Sequence, residues 1–167
     1  GDEPGAALVE HPGVHTIAFT GSSAVGIGIN VEAAKVRPGQ DHIKRVVAEM
    51  GGKNCLIVDS DADLDEVVPA VLYSAFGFAG QKCSAASRVL VHHQIADLLE
   101  ERLAGAVPNV LADQADRFGV DLGPVIDPES RERHGRYSRQ AAEDGATIIS
   151  MDDIPDEGYF CPPTVAI

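Results

Sequence analysis

Short β-forming runs alternate with helix-like stretches along this chain, and that alternation restricts its fold more than any other feature. His15-Thr16-Ile17-Ala18-Phe19 has the alternating, β-prone character of a half-buried strand, and it ends at Thr20-Gly21-Ser22-Ser23. Residues 24–35 then read as a helix, stopped by Arg37-Pro38-Gly39-Gln40. Strands are expected over residues 43–49 and 54–59, with Gly51-Gly52 giving the backbone a turn between them that other residues resist. Acids at residues 61–65 supply caps for a helix over 64–76, and Gly77 and Gly80 mark its end. Further on come a strand over 87–91, a helix over 94–106, a helix over 128–143 opened by Asp127, and a strand over 146–151. A short helix is also expected over residues 4–10. Strands separated by helices pack as parallel or mixed sheets covered by those helices, which places the chain in the α/β class.

A chain of 167 residues with 44% hydrophobic and 23% charged content can bury a real core, so disorder is not the expectation. The net charge of -13, from 26 acidic and 13 basic residues, disfavours nucleic acid, because phosphate binding requires clustered Lys and Arg. No run approaches the roughly 18 apolar residues of a membrane helix. Gly1-Asp2-Glu3-Pro4 lacks the basic and apolar regions of a signal peptide, which points to a cytoplasmic protein without a membrane partner.

Three cysteines, Cys55, Cys83 and Cys161, form no paired spacing, so a disulfide framework or a thiolate zinc site is not expected. Cys55 sits in the apolar run Asn54-Cys55-Leu56-Ile57-Val58 and is expected to be a buried small hydrophobe; Cys161 precedes Pro162-Pro163 and is expected in a loop. His92 and His93, adjacent on an expected strand, should point to opposite faces and share no ion; none of the six histidines shows ligand spacing, and no metal is expected.

Three segments carry residue types suited to chemistry. Phe19-Thr20-Gly21-Ser22-Ser23-Ala24-Val25-Gly26 is a glycine turn leading into a helix, where free amides and the helix dipole favour an anion such as phosphate; ordinary glycine turns look the same. Ala48-Glu49-Met50-Gly51-Gly52-Lys53-Asn54 puts a carboxylate at a strand end, readable as a partly buried general base or as a surface acid. Gly77-Phe78-Ala79-Gly80-Gln81-Lys82-Cys83-Ser84-Ala85-Ala86-Ser87-Arg88 sets a thiol among small residues that leave room for a substrate, with Lys82 as a cationic neighbour that favours thiolate if it points toward the sulfur.

Together, in this order, the FTGS turn, the E-M-G-G-K segment and the G-Q-K-C segment resemble the aldehyde dehydrogenase superfamily, and Cys83 follows Glu49 by 34 residues, which suits that family's spacing. Val36-Arg37-Pro38-Gly39-Gln40, Ile43-Lys44-Arg45 and above all Gly80-Gln81-Lys82-Cys83-Ser84-Ala85-Ala86-Ser87-Arg88 are most similar to the Δ1-pyrroline-5-carboxylate dehydrogenases within it. The resemblance runs to the closing Gly158-Tyr159-Phe160-Cys161-Pro162-Pro163-Thr164.

The resemblance implies part of a Rossmann-like cofactor domain (residues 1–48) followed by part of an α/β catalytic domain (49–167). It implies NAD as cofactor, held by Gly21, Ser22, Val25 and Gly51; Cys83 as nucleophile; Glu49 as the base that hydrolyses a thioester; and Ser84 as a partner of the substrate's carboxylate end. The activity implied is oxidation of a small aldehyde, glutamate γ-semialdehyde, to glutamate in proline breakdown, by a homo-oligomeric parent protein. It further implies an internal fragment, inactive alone, that lacks the family's oxyanion asparagine, the adenosine-ribose lysine and the downstream nicotinamide-ribose glutamate. A noncatalytic truncated domain and a dehydrogenase for another semialdehyde stay open as alternatives. A sheet divided this way is expected to expose strand edges and apolar surface.

Overall fold

The computed structural model describes residues 2–167, which fall into two compact units, Gly1–Gly52 and Lys53–Ile167. In the first, helix α1 (Asp2–Glu10) precedes strand β1 (Thr16–Gly21), helix α2 (Ser23–Ala33) and strand β2 (Arg45–Met50). β1 and β2 pair in parallel from Thr16↔Arg45 to Gly21↔Met50, and α2 provides the crossover that parallel pairing requires. β2 begins two residues later than its apolar pattern implies because Lys44 leaves the ladder. Its side chain is buried, and its ammonium donates to the carbonyls of Val9, in the last turn of α1, and of His11 beyond it.

The second unit repeats this plan with strand β3 (Asn54–Val58), helix α3 (Leu64–Phe76) and strand β4 (Ala86–Val91), again paired in parallel. Helix α4 (Ala96–Ala106) and helix α5 (Pro128–Glu143) follow. Strands β5 (Ile148–Ile149) and β6 (Val165–Ala166) form a two-residue antiparallel pair. Val58, Leu64, Val71, Leu99 and Leu103 make one core, where α3 and α4 close on the β3–β4 sheet. Val110, Ala112 and Leu122 make a second, covered in part by Leu72, Phe76 and Ile154.

Helix boundaries follow their caps. The Asp63 carboxylate accepts from the Asp65 amide at the start of α3, and that of Asp127 accepts from the Ser130 amide at 2.7 Å at the start of α5. The strand expected over 146–151 contracts to two residues because its only partner, β6, is that short.

The turn expected at Gly51 and Gly52 does not use the freedom of glycine. Neither takes a positive φ, and the strands on either side belong to different sheets. Cys55, expected in the core, is exposed, because β3 pairs only with β4 and the face carrying Cys55 and Ile57 has no cover within its unit. Val47, Ile57 and Leu90 are likewise exposed on two-stranded sheets. No described helix is long and apolar enough to cross a membrane.

Leu99→Ala should lower the stability of the second unit by about 2–5 kcal/mol in urea titration, the usual cost of emptying a closed leucine site. Hydrogen bonding from Ser130 holds the Asp127 carboxyl below its ordinary range. Because the folded value is the depressed one, the cap stabilises α5 above the unfolded aspartate value and is lost as pH falls through the lower folded value. The difference in urea midpoint between wild type and Asp127→Asn should therefore shrink as pH drops from about 6 to about 3.

Candidate active site

In the first unit, the candidate residues gather at the carboxyl ends of the parallel strands, the edge at which open α/β sheets bind ligands. The register places Thr20 beside Glu49 and Gly21 beside Met50, so the turn after β1 and the acid near the end of β2 are neighbours. Ser22 is the extended N-cap of α2, and its Oγ accepts from the Val25 amide at 3.3 Å. A β-carbon on Gly21 would stand 2.5 Å from the Phe19 ring, so the turn is kept bare of side chain beside the helix start. At Gly26 a β-carbon would stand 2.8 Å from Met50 Sδ; glycine there lets α2 approach the end of β2.

Gly21, Ser22, Val25, Glu49 and Gly51 are all exposed on this unit. The backbone at Gly51 is open, with no atom within 4 Å of where a β-carbon would project. Bare backbone, a polar cap and the first turn of a helix together suit a phosphate-bearing ligand. Glu49 is a surface carboxylate here and makes no ion pair among the described residues.

In the second unit, Cys83 and Ser84 are the central residues of a turn closed by the Ala85 amide donating to the Lys82 carbonyl at 3.1 Å. Both are exposed. The approach to this turn is unusual: Phe78, Ala79 and Gly80 carry φ of 55°, 55° and 67°, three left-handed residues in succession. The Gln81 amide closes on the Phe78 carbonyl across them. A β-carbon on Gly80 would meet the Ala75 carbonyl oxygen at 2.9 Å, so glycine suits that position on two counts. Lys82 extends over the Phe78 ring, with Nζ 4.7 Å from its centroid.

The residue that motif reading passed over is Asn54. Its side-chain amide donates to the carbonyls of Cys83 at 2.7 Å and Ala85 at 3.2 Å. In sequence it is an asparagine at the head of a strand, closing the Glu49 segment, and neither place carries information about a loop 29 residues later.

The remaining candidates separate by environment. Cys161 lies in an irregular stretch, as expected, but is buried, and burial pushes its thiol up from the ordinary range. The His92 and His93 rings do not diverge: β4 ends at Val91, and beyond the strand they stand 4.4 Å apart at 34°.

All 167 residues match the aldehyde dehydrogenase family. The chain is 43% identical over 165 residues to 1-pyrroline-5-carboxylate dehydrogenase 2 of Bacillus subtilis, covering 99% of this chain and 32% of that protein. Its identity to 1-pyrroline-5-carboxylate dehydrogenase 1 of Halalkalibacterium halodurans is 43% over 166 residues, again covering 99% of this chain and 32% of that protein. The chain thus spans about a third of the length of the curated relatives it matches. Among solved structures it superposes on proline utilization A from Bdellovibrio bacteriovorus with a TM-score of 0.94 and 46% identity, over 99% of this chain and 17% of that one. It superposes on a 1-pyrroline-5-carboxylate dehydrogenase from Thermus, solved with bound NAD, with a TM-score of 0.90 and 38% identity, over 99% of this chain and 32% of that one. A match along its whole length, joined to a cysteine turn and a strand-end glycine cradle of the kind described, makes this chain a member of the aldehyde dehydrogenase family.

Proposed function

We infer that the protein to which these residues belong oxidises glutamate γ-semialdehyde, the open form of Δ1-pyrroline-5-carboxylate, to glutamate with NAD. The observation that carries this reading is an exposed cysteine displayed at the tip of a tight turn of small residues, in a chain whose relatives are named for that substrate.

The Cys83 thiolate adds to the aldehyde carbon, and the carbonyl oxygen becomes an oxyanion in need of a donor. The Cys83 backbone N–H suits that role, since among the described residues it donates to no group of the chain. Gly21 and Ser22 at the bare turn, Val25 on the first turn of α2 and Gly51, open at the strand end, would hold the cofactor's pyrophosphate side. When bound there, the nicotinamide dinucleotide supplies the hydride acceptor.

The acyl group left on Cys83 is a thioester, and water must displace the sulfur. Glu49 takes the proton from that water, so that aldehyde, water and NAD⁺ become acid, NADH and a proton. A dehydrogenase that passed its acyl group to a second thiol would need no such base, which favours the free acid as product. The Ser84 hydroxyl is exposed and makes no hydrogen bond to the chain among the described residues, which supports it as the donor to the substrate's carboxylate.

Steady-state oxidation of glutamate γ-semialdehyde by the full-length protein tests this reading. Cys83→Ala should abolish NADH formation. Glu49→Gln should lower turnover by about 10²- to 10⁴-fold, the usual loss on removing a general base, while leaving a single-turnover burst of NADH. Ser84→Ala should raise KM for the semialdehyde about tenfold, the scale of one charge-assisted hydrogen bond, and leave KM for an uncharged aldehyde unchanged. Activity retained by Cys83→Ala would remove the thioester mechanism. In thiol labelling with iodoacetamide followed by peptide mass mapping, Cys83 and Cys55 should react in the folded protein and Cys161 only after unfolding.

A further inference from the structure

We propose that Asn54 is a positioning residue for the nucleophile: its side-chain amide clamps the Cys83 turn from the adjoining strand and holds the sulfur and the Cys83 N–H in one fixed arrangement. The proposal rests on the assignment of Cys83 as nucleophile and gives a role to a residue to which the motif reading assigns none.

The clamp uses the full donor capacity of one nitrogen. Nδ2 carries two hydrogens, and it meets two acceptors, the carbonyls of Cys83 at 2.7 Å and Ala85 at 3.2 Å. The peptide between Cys83 and Ser84 is planar, and no peptide bond in the described chain is cis. Holding its oxygen toward Asn54 therefore turns its N–H the opposite way and sets the plane on which the Cys83 Cα sits. The second bond, to Ala85, holds the far side of the same turn, the residue whose amide closes back on Lys82.

Asn54 is itself held. The parallel register between β3 and β4 slips between Asn54 and Cys55: Asn54 faces Ala86, whereas Cys55 faces Arg88. Such irregularities re-aim a side chain at the end of a ladder, and here the re-aimed side chain is the one that reaches the loop. Ser87 Oγ donates to the Asn54 carbonyl at 3.3 Å, and the Arg88 guanidinium donates to the Lys53 carbonyl at 2.7 Å. On the other side of Cys83, the Gln81 side chain accepts from the Ile126 amide at 3.1 Å. The nucleophile thus lies between two side-chain anchors, one before it and one from the neighbouring strand.

A clamp at this place has a clear task. Three left-handed residues lead into the turn, two of them non-glycine, and a segment bent that way relaxes unless its surroundings hold it. Aspartate at position 54 would match asparagine in shape yet offer carboxylate oxygens to two carbonyls in place of donors, so that substitution separates the hydrogen bonds from the space the side chain fills.

Asn54→Asp and Asn54→Ala in the full-length protein, studied by amide hydrogen exchange with mass spectrometry and by steady-state kinetics, test the proposal. The expected result has two parts. Exchange in the segment 82–86 rises about threefold or more, as when one net hydrogen bond is lost, while segments of α3 and α4 exchange as in wild type. At the same time kcat falls about tenfold with KM for NAD unchanged, and in Asn54→Gln, which keeps the donor, part of the lost kcat returns. Unchanged exchange in the turn would overturn the clamp. A loosened turn with unchanged kcat would overturn the positioning role, and raised exchange throughout the second unit would reduce Asn54 to a general support of the fold and overturn it equally. A wild-type protein that shows no oxidation of glutamate γ-semialdehyde would sink the dehydrogenase reading instead, while the exchange data would still decide the clamp.

Discussion

Parallel strand pairing is the constraint from which the rest of this chain follows. Two parallel strands cannot be joined by a tight turn, so each pair must be separated by a crossover long enough to return to the starting edge. β1 and β2 are linked through α2, and β3 and β4 through α3. The chain leaves β1 for its crossover helix at Gly21 and Ser22, and the strand it returns to ends beside that exit at Glu49 and Met50. Carboxylate and bare turn are adjacent because the strands run the same way. With the pair reversed, the Glu49 end of β2 would lie beside the start of β1 instead.

The second unit applies the same rule to a different end. There the residues of interest precede β4, and their position depends on how the chain comes out of α3. The helix stops at Phe76, and beyond Gly77 three left-handed residues reverse the chain tightly enough to bring Cys83 to the head of β3. Left-handed backbone at Phe78 and Ala79 costs on the order of 1–3 kcal/mol each. It is held by closure of the Gln81 amide on Phe78, by Lys82 lying over the Phe78 ring, and by the Asn54 and Gln81 side chains.

What could be read from the residues alone was what short-range rules determine. The bounds of α3 and α5 agree with their caps, Asp63 and Asp127, because a carboxylate capping nearby amides is a local event. The alternation of strands and helices gave the class for the same reason. What was not legible depends on partners far along the chain. β6 is two residues whose only claim to be a strand is Ile148–Ile149, and residue 44 leaves β2 because its ammonium has carbonyls to meet at Val9 and His11. The clamp by Asn54 on Cys83 crosses 29 residues and a register slip, so no local rule reports it.

The three cysteines carry this contrast to its chemical end. Composition makes them equivalent, and an apolar neighbourhood in sequence marked Cys55 for burial. The fold leaves Cys55 on an uncovered sheet face, buries Cys161 in a stretch without regular structure, and displays Cys83 at a turn of small residues. Burial disfavours the thiolate at Cys161 and excludes reagents from it. Exposure alone leaves Cys55 accessible, with its backbone committed to the β3–β4 ladder. Cys83 combines access with a backbone amide that donates to no group of the chain among the described residues. What sets Cys83 apart is thus less its sulfur than the backbone on which the sulfur is mounted, and that backbone is gripped by the Asn54 side chain from another strand.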